Sequence, residues 1–193
     1  NDAFSKEIFN KYLSSDKMDA QKNIFLASDI QQLKKFETRL DDEIKGGPVE
    51  FVPAVSVIYK KRLLETEQIY KEILSQPFDF SKEEIVNLDP EKIEFAKTEA
   101  DRKEMWRKRL KYLTLERYAD LLESREKNKG KEGAEAKTDA ELEKEAREKV
   151  MKIMDRNYDR LKHKFNDDER FNEYVRTITE SMDPHTTFLP PID

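Results

Sequence analysis

The two histidines have the chemistry for metal binding or proton transfer, but neither lies in a spacing that supports it. A di-iron helical bundle requires Glu-x-x-His on paired helices, so that a carboxylate and an imidazole reach one metal. Arg160 precedes His163 by three residues and Met182 precedes His185 by three, and no His-Glu-x-x-His zinc motif is present. We therefore predict no metal ligand and interpret His163, between two lysines, as a surface residue.

Patterns for nucleophilic catalysis and phosphate binding are also missing from the sequence. There is no cysteine, and no serine stands in a Gly-x-Ser-x-Gly setting. The four glycines, at positions 46, 47, 130 and 133, fit helix ends and a linker and form no phosphate-binding loop. The sequence predicts no catalytic residue and no cofactor-binding residue.

A cationic stretch in the second half of the chain superficially resembles a nucleic-acid-binding face. It contains Arg102, Lys103, Arg107, Lys108, Arg109 and Lys111, interleaved with Trp106 and Tyr112. The same stretch carries an apolar helical stripe, so we interpret the cations as a solvated helix face whose aliphatic stems cover the core. The whole chain has 37 basic and 42 acidic residues and a net charge of −5. Nucleic acid is therefore not an expected partner.

The segment Asp183-Pro184-His185-Thr186-Thr187-Phe188-Leu189-Pro190 is the densest group of conformationally special residues. Asp183 can accept hydrogen bonds from the backbone of a following turn, whose first φ is preset by Pro184. Thr186 can add a side-chain-to-backbone bond, and Phe188 with Leu189 would hold the exiting chain against the domain. We predict a structural junction formed by Asp183, Pro184, His185, Thr186 and Phe188, in which His185 has a packing or hydrogen-bonding role.

The elements that position these residues are predicted to be helices. Apolar residues make up 36% of the chain and charged residues 41%, which favours amphipathic helices with narrow apolar stripes. Only 4 glycines and 7 prolines are available for the turns of an all-β fold. The stripes predict an all-α domain of about six helices with long connecting loops. The approximate ranges are 2–14, 28–44, 51–74, 98–122, 138–165 and 166–182. The predicted N-caps are Asp2 for the first helix and Thr98, Thr138 and Asn166 for the last three.

Two segments lack a sustained helical period. The stretch 78–97 contains Asp89-Pro90, and we expect a long connection packed by Phe78, Phe80, Ile85 and Leu88. The stretch 123–136 has no large apolar residue, which predicts a mobile loop or an extension of the preceding helix.

No apolar run approaches the roughly 20 residues of a membrane span. The chain opens at Asn1 without a basic region followed by an apolar one, so we expect a fragment whose targeting signal, if any, lies upstream. The lack of cysteine fits a reducing compartment and a cysteine-poor envelope protein equally well.

The junction that begins at Asp183 resembles the one that precedes the PDZ domain in tail-specific, or C-terminal processing, serine proteases. Segments upstream resemble, in the same order, the N-terminal helical domain of the larger branch of that family. They are Asn10-Lys11-Tyr12-Leu13, Asp19, Phe25-Leu26-Ala27-Ser28-Asp29-Ile30, Leu40, Gly46, Pro77-Phe78-Asp79-Phe80, Asn87-Leu88-Asp89 and Trp106-Arg107-Lys108-Arg109-Leu110-Lys111. Phe188 stands where a tyrosine is common, and Pro190 stands where the family often has Leu-Ser-Pro, so a serine helix cap is missing.

The resemblance implies a helical domain at 1–182 and a junction at 183–193. It further implies a downstream PDZ domain that engages substrate C-termini, and a serine endopeptidase domain with a Ser/Lys dyad. The implied partners are these domains and unfolded or C-terminally tagged protein substrates, and the implied location is the periplasm or cell envelope. No dyad residue is assigned within this chain, which by itself is expected to be inactive.

Two other functions stay open on the sequence. The chain could be a free-standing helical module that binds a partner protein, and the reading frame after Asp193 would distinguish this from the protease domain. It could also be an all-α enzyme with an unrecognised carboxylate site, which metal analysis would detect.

Overall fold

The computed structural model describes residues 1–134, 136–186 and 188–190. Within these ranges the chain folds into seven α-helices, which confirms the prediction of an all-α multi-helix domain. The helices are α1 (Asp2–Leu13), α2 (Ala27–Leu33), α3 (Leu40–Ile44), α4 (Phe51–Leu74), α5 (Glu99–Asn128), α6 (Asp139–Asp159) and α7 (Asp167–Met182). Short 3-10 turns occupy Lys34–Phe36 and Pro90–Lys92, and a π-helical turn occupies Arg160–Lys164.

Polar side chains mark the beginnings of four helices. Thr98, Thr138 and Asn166 each accept a hydrogen bond from the backbone N–H three residues further on, as predicted for α5, α6 and α7. Asn1, rather than the predicted Asp2, caps α1. These caps satisfy N–H groups that have no partner inside the helix.

The prediction of one continuous helix over 28–44 is wrong. The helix ends at Leu33, a 3-10 turn follows, and a new helix begins at Leu40. Leu33, Phe36 and Leu40 are nevertheless all buried. A spacing of three or four residues fits a 3-10 turn as well as an α-helix, so the apolar pattern did not distinguish the two.

Helix α4 lies at the centre of the core and joins its two ends. At its N-terminal end the ring of Phe51 lies 5.5 to 5.8 Å, between centroids, from four rings, those of Phe9, Tyr12, Phe36 and Tyr174. At its C-terminal end Tyr70 lies 4.9 Å from Tyr158 and 6.2 Å from Trp106. The first helices and α7 therefore pack on one half of α4, and α5 and α6 on the other.

The connection between α4 and α5 is long, as predicted, and Phe78 and Phe80 pack as expected, but the other two predicted residues do not. Ile85 is 88% exposed and Leu88 is also exposed, so their predicted packing is wrong. Ile93 and Ala96 are buried instead, and the backbone N–H of Ala27 donates to the Ala96 carbonyl at 2.8 Å. Without a helical or strand period, the path of the chain decides which apolar side chains reach the core.

The segment 123–136 is divided between a helix and a link. Its first part extends α5 to Asn128, and residues 129–134 and 136–138 lead to α6, with residue 135 outside the described ranges. Arg125 pairs with Asp139 at 2.7 Å and holds the two helices together near this link.

Candidate functional site

One serine and one lysine approach each other, but their surroundings do not suit catalysis. Lys11 of α1 donates to the Ser181 hydroxyl of α7 at 3.3 Å. A lysine that activates a serine must be neutral, which requires a desolvated site without a carboxylate partner. Lys11 is exposed and pairs with Glu7 at 2.5 Å. Both the solvent and the carboxylate favour the charged form of the lysine, so Lys11 is not placed to activate Ser181.

No metal site is formed among the described residues, where no three His, Cys, Asp or Glu side chains are grouped to hold an ion. His163 is exposed, and its Nε2 lies 3.7 Å from Asp159. Among the described helices, none combines the length and apolarity of a membrane span.

A buried ionic cluster joins α2, α4 and α5. Arg62 donates from Nε and Nη2 to the two carboxylate oxygens of Asp29 at 2.8 and 2.9 Å. Glu65 accepts from Arg62 and from Arg102, each at 2.8 Å. Arg102 is 1% exposed, so the interpretation of this residue as part of a solvated face is wrong.

The charges of this ionic cluster stabilise one another. Hydrogen bonds that Arg62 donates to Asp29 raise the pKa of Arg62. Burial acts to raise the pKa of Glu65, but the hydrogen bonds that it accepts from Arg102 and Arg62 lower it. The backbone N–H of Leu26 also donates to Asp29 at 2.8 Å. The cluster therefore connects three helices through groups that would be costly to bury alone.

A fully buried carboxylate organises the loop before α2. Asp19 is 2% exposed and accepts three hydrogen bonds, at 2.9 to 3.0 Å, from the backbone N–H groups of Asn23, Ile24 and Phe25. Burial raises the pKa of Asp19 to about 6, against the opposing effect of these bonds and of Arg102. Arg102 also donates to the Ile24 carbonyl at 2.7 Å, which ties this loop to the ionic cluster.

Two other cations of α5 bind the connection that runs past the helix. Lys111 is buried, contrary to the prediction, and donates to Glu84 at 2.6 Å and to the Lys82 carbonyl at 3.0 Å. Arg107 pairs with Glu84 as well. These contacts hold the connection against α5.

The predicted junction follows the last helix directly. Asp183 accepts a bond from the His185 backbone N–H at 2.9 Å and another from the Thr186 hydroxyl at 2.9 Å. The Thr186 backbone N–H donates to the Asp183 carbonyl at 2.9 Å, which closes a turn around Pro184. The hydrogen bond from the His185 backbone and, to a smaller extent, the one from the Thr186 hydroxyl lower the pKa of Asp183.

Two details of the junction differ from expectation. The Thr186 hydroxyl bonds the Asp183 side chain and not a backbone group. Phe188 is partly buried, but Leu189 is 81% exposed and does not hold the chain against the domain. Thr187 and residues 191–193 lie outside the described ranges.

Replacement of Asp183 by alanine removes both side-chain bonds of this turn. We expect a fall in melting temperature of about 2 °C and faster amide exchange at His185 and Thr186. Asp183→Asn keeps an acceptor oxygen and is expected to change less. Identical melting and exchange in the wild type and Asp183→Ala would contradict a structural role for this residue.

Comparison with known sequences places this helical architecture in a family. The family described as "Tail specific protease N-terminal domain" matches residues 1–192. A protein named "Tail-specific protease" from Haemophilus influenzae (strain ATCC 51907 / DSM 11121 / KW20 / Rd) is 27% identical over 191 residues. The alignment covers 98% of this chain and 24% of that relative. The chain therefore belongs to the family of tail-specific protease N-terminal domains.

Proposed function

We propose that this chain is the non-catalytic N-terminal helical domain of a tail-specific serine endopeptidase, in which it shapes substrate access and supports the other domains. The observation that carries the proposal is the family match over residues 1–192. Because the chain spans only 24% of the length of the relative, catalysis is assigned to other parts of the parent protein.

The internal architecture supports a scaffolding role. The central helix α4, the ionic cluster and the Asp19 loop connect elements that are far apart in sequence, as in the pairing of Arg62 with Asp29. Such a preorganised body can hold neighbouring domains in a defined position. The Lys11–Ser181 pair lacks the environment of a dyad, which agrees with a non-catalytic domain.

The junction divides the proposed domains. Residues 1–182 form the helical domain, and residues 183–193 lead to a downstream PDZ domain and a protease domain with a Ser/Lys dyad. The proposed substrates are unfolded or C-terminally tagged proteins, and the proposed location is the periplasm or cell envelope. The turn at Asp183 supports this division, since it follows α7 directly.

Cleavage of an unfolded protein with a free C-terminus tests the proposal. We expect no cleavage by the 193-residue chain and cleavage by the full-length product of the gene. Deletion of residues 1–182 from the full-length enzyme should change which substrates are cut, because the helical domain no longer restricts the access of substrates to the protease domain.

The controls separate loss of access from loss of folding. Replacement of the dyad serine should abolish cleavage by the full-length enzyme and by the deletion form. A small chromogenic ester should report an intact catalytic domain in both. A reading frame without PDZ and protease domains after Asp193, or unchanged substrate selection after deletion, would contradict the proposal.

A further inference from the structure

Helix α7 carries a second apolar row beside the one that packs into the core. The row consists of Phe171, Val175, Ile178 and Met182, whose spacing of three or four residues places them on one side of the helix. Phe171 is 42% exposed and Met182 is 68% exposed, while Val175 and Ile178 are half-buried. The buried side of α7 is formed instead by Arg170, Glu173, Tyr174 and Thr177.

The neighbouring face of α4 is apolar and exposed as well. Val57 is 72% exposed and Leu64 is 63% exposed. They lie about one helical turn before and after Lys60, on the same exposed face. A helix at the centre of a domain therefore leaves part of its apolar surface in water.

Contacts between α4 and α7 place the two rows side by side. Lys60 pairs with Asp167 at 2.9 Å, and the Ser56 hydroxyl accepts from Arg170 at 2.9 Å, so the helices run antiparallel. Phe171 lies one turn after Asp167 and thus beside the turn of α4 that contains Val57. We call the two rows together the α4–α7 seam, formed by Val57, Leu64, Phe171, Val175, Ile178 and Met182.

The charges at the seam do not prevent its burial. Lys60 and Asp167 neutralise each other between the two rows. Lys61 is exposed beside Val57 and Leu64, and its flexible chain can keep the ammonium in water when the seam is covered. The seam therefore suits an apolar occupant rather than a charged one.

The size of the seam favours a tethered occupant over a free one. A stable interface between separate proteins takes about 20 to 30 residues on each side, whereas the seam is a single row of side chains on each helix. A second copy of the chain would therefore bind weakly. A domain of the same polypeptide is present at an effective concentration of about millimolar, so a small apolar surface is enough to hold it.

The seam also leads to the place where such a domain is attached. Met182 is the last residue of α7 and directly precedes the turn formed by Asp183. Phe171 lies roughly 16 Å from Met182 along the helix axis. The aligned relative is much longer than this domain, since the chain covers 24% of it. A domain that follows the turn begins at one end of the seam.

We propose that the α4–α7 seam is the surface against which the part of the parent protein that follows the junction docks, through an apolar patch of its own. This inference rests on the proposed function, in which further domains follow the helical domain. It adds the surface that holds them, and it makes α7 both the exit from the domain and half of the interface.

Thiol labelling tests the inference, because the 193-residue chain contains no cysteine. Val57→Cys is placed in this chain and in the full-length product of the gene, in which any other cysteine is first replaced by serine. We expect a maleimide to label position 57 about tenfold or more slowly in the full-length protein, since the docked domain covers it. Glu132→Cys, at an exposed position of the link before α6, is the control and should be labelled equally fast in both.

A second probe shows whether α4 and α7 form one interface. Phe171→Cys should be protected in the full-length protein like Val57→Cys. Addition of Val57→Glu should restore most of its labelling rate, because a carboxylate is costly to bury against an apolar surface. Val57 is largely exposed in the free domain, so Val57→Glu should leave the melting temperature of the 193-residue chain nearly unchanged.

Three outcomes would overturn the inference. They are equal labelling of Val57→Cys in the two proteins, protection of Phe171→Cys that Val57→Glu does not relieve, and slow labelling already in the 193-residue chain together with a dimer in sedimentation. The last would show that a second copy covers the seam.

The labelling result and the cleavage result fail separately. Equal labelling in a full-length enzyme that cleaves the unfolded substrate contradicts docking at the seam and leaves the proposed function standing. Protection of position 57 in a full-length protein that cleaves nothing supports docking and contradicts the proposed function.

Discussion

Replacement of Asp29 by alanine is expected to lower the free energy of unfolding by about 3 to 5 kcal/mol. The change leaves the Nε and Nη2 groups of the buried Arg62 without their acceptor and removes the acceptor of the Leu26 backbone N–H. Arg62 keeps only its bond to Glu65, so two donors of a buried cation have lost water without keeping a partner, which is costly. Urea denaturation of the variant and the wild type measures the difference.

An exposed ion pair provides the matched control for Asp29. Glu50 lies 3.7 Å from Arg39, and both side chains are exposed. Glu50→Ala is therefore expected to change the free energy of unfolding by less than about 1 kcal/mol. The double variant Asp29→Ala, Arg62→Met should recover part of the loss, since the buried donors left without an acceptor are gone. Similar effects of Asp29→Ala and Glu50→Ala would show that the cluster does not stabilise the fold.

Replacement of Asp19 by alanine is expected to lower the free energy of unfolding by about 3 kcal/mol at pH 7. Three buried backbone N–H groups lose their acceptor, although removal of a buried charge offsets part of this cost. Asp16→Ala is the control, because Asp16 is exposed in the same loop. Equal stability of the Asp19→Ala and Asp16→Ala variants would contradict the organising role of Asp19.

The pH dependence of this difference follows from the pKa of about 6 that burial gives Asp19. An aspartate in the unfolded chain has a pKa of about 3.9, so the folded state holds the proton more tightly. The stability that protonated Asp19 contributes is then lost as the pH rises from about 4 through about 6. The deficit of Asp19→Ala relative to the wild type should be larger at pH 4 than at pH 7, by on the order of 3 kcal/mol. If the deficit of Asp19→Ala instead grows toward pH 7, the three N–H bonds lower the pKa of Asp19 by more than burial raises it.

Two arginines of α5 show how similar residues in one helix acquire different roles. Arg102 and Arg109 are two turns apart on α5 and look alike in the cationic stretch. Arg102 meets Glu65 and the Ile24 carbonyl, whereas Arg109 meets only an amide oxygen of Gln21. The first therefore stabilises the interior, and the second joins α5 to the segment that precedes α2.

The sequence by itself determined the features that depend on neighbours within one or two helical turns. The all-α class, the bounds of α4 and the caps at Thr98, Thr138 and Asn166 were all predictable, because a cap needs only the N–H groups of the next turn. The hydrogen bonds of Asp183 are equally local, while the role of the junction in the parent protein stays a prediction.

Only the tertiary structure decided which charged and apolar residues are buried. Arg102 is paired with Glu65 across 37 residues, and Arg62 with Asp29 across 33. Asp19 is buried and Ile85 is exposed, although aspartate side chains are usually exposed and isoleucine side chains usually buried. Periodicity reports which residues share a helix face, but the free energy of burying a charge depends on a partner that the fold brings from elsewhere. The ionic cluster and the buried Asp19 could therefore not be predicted from local pattern.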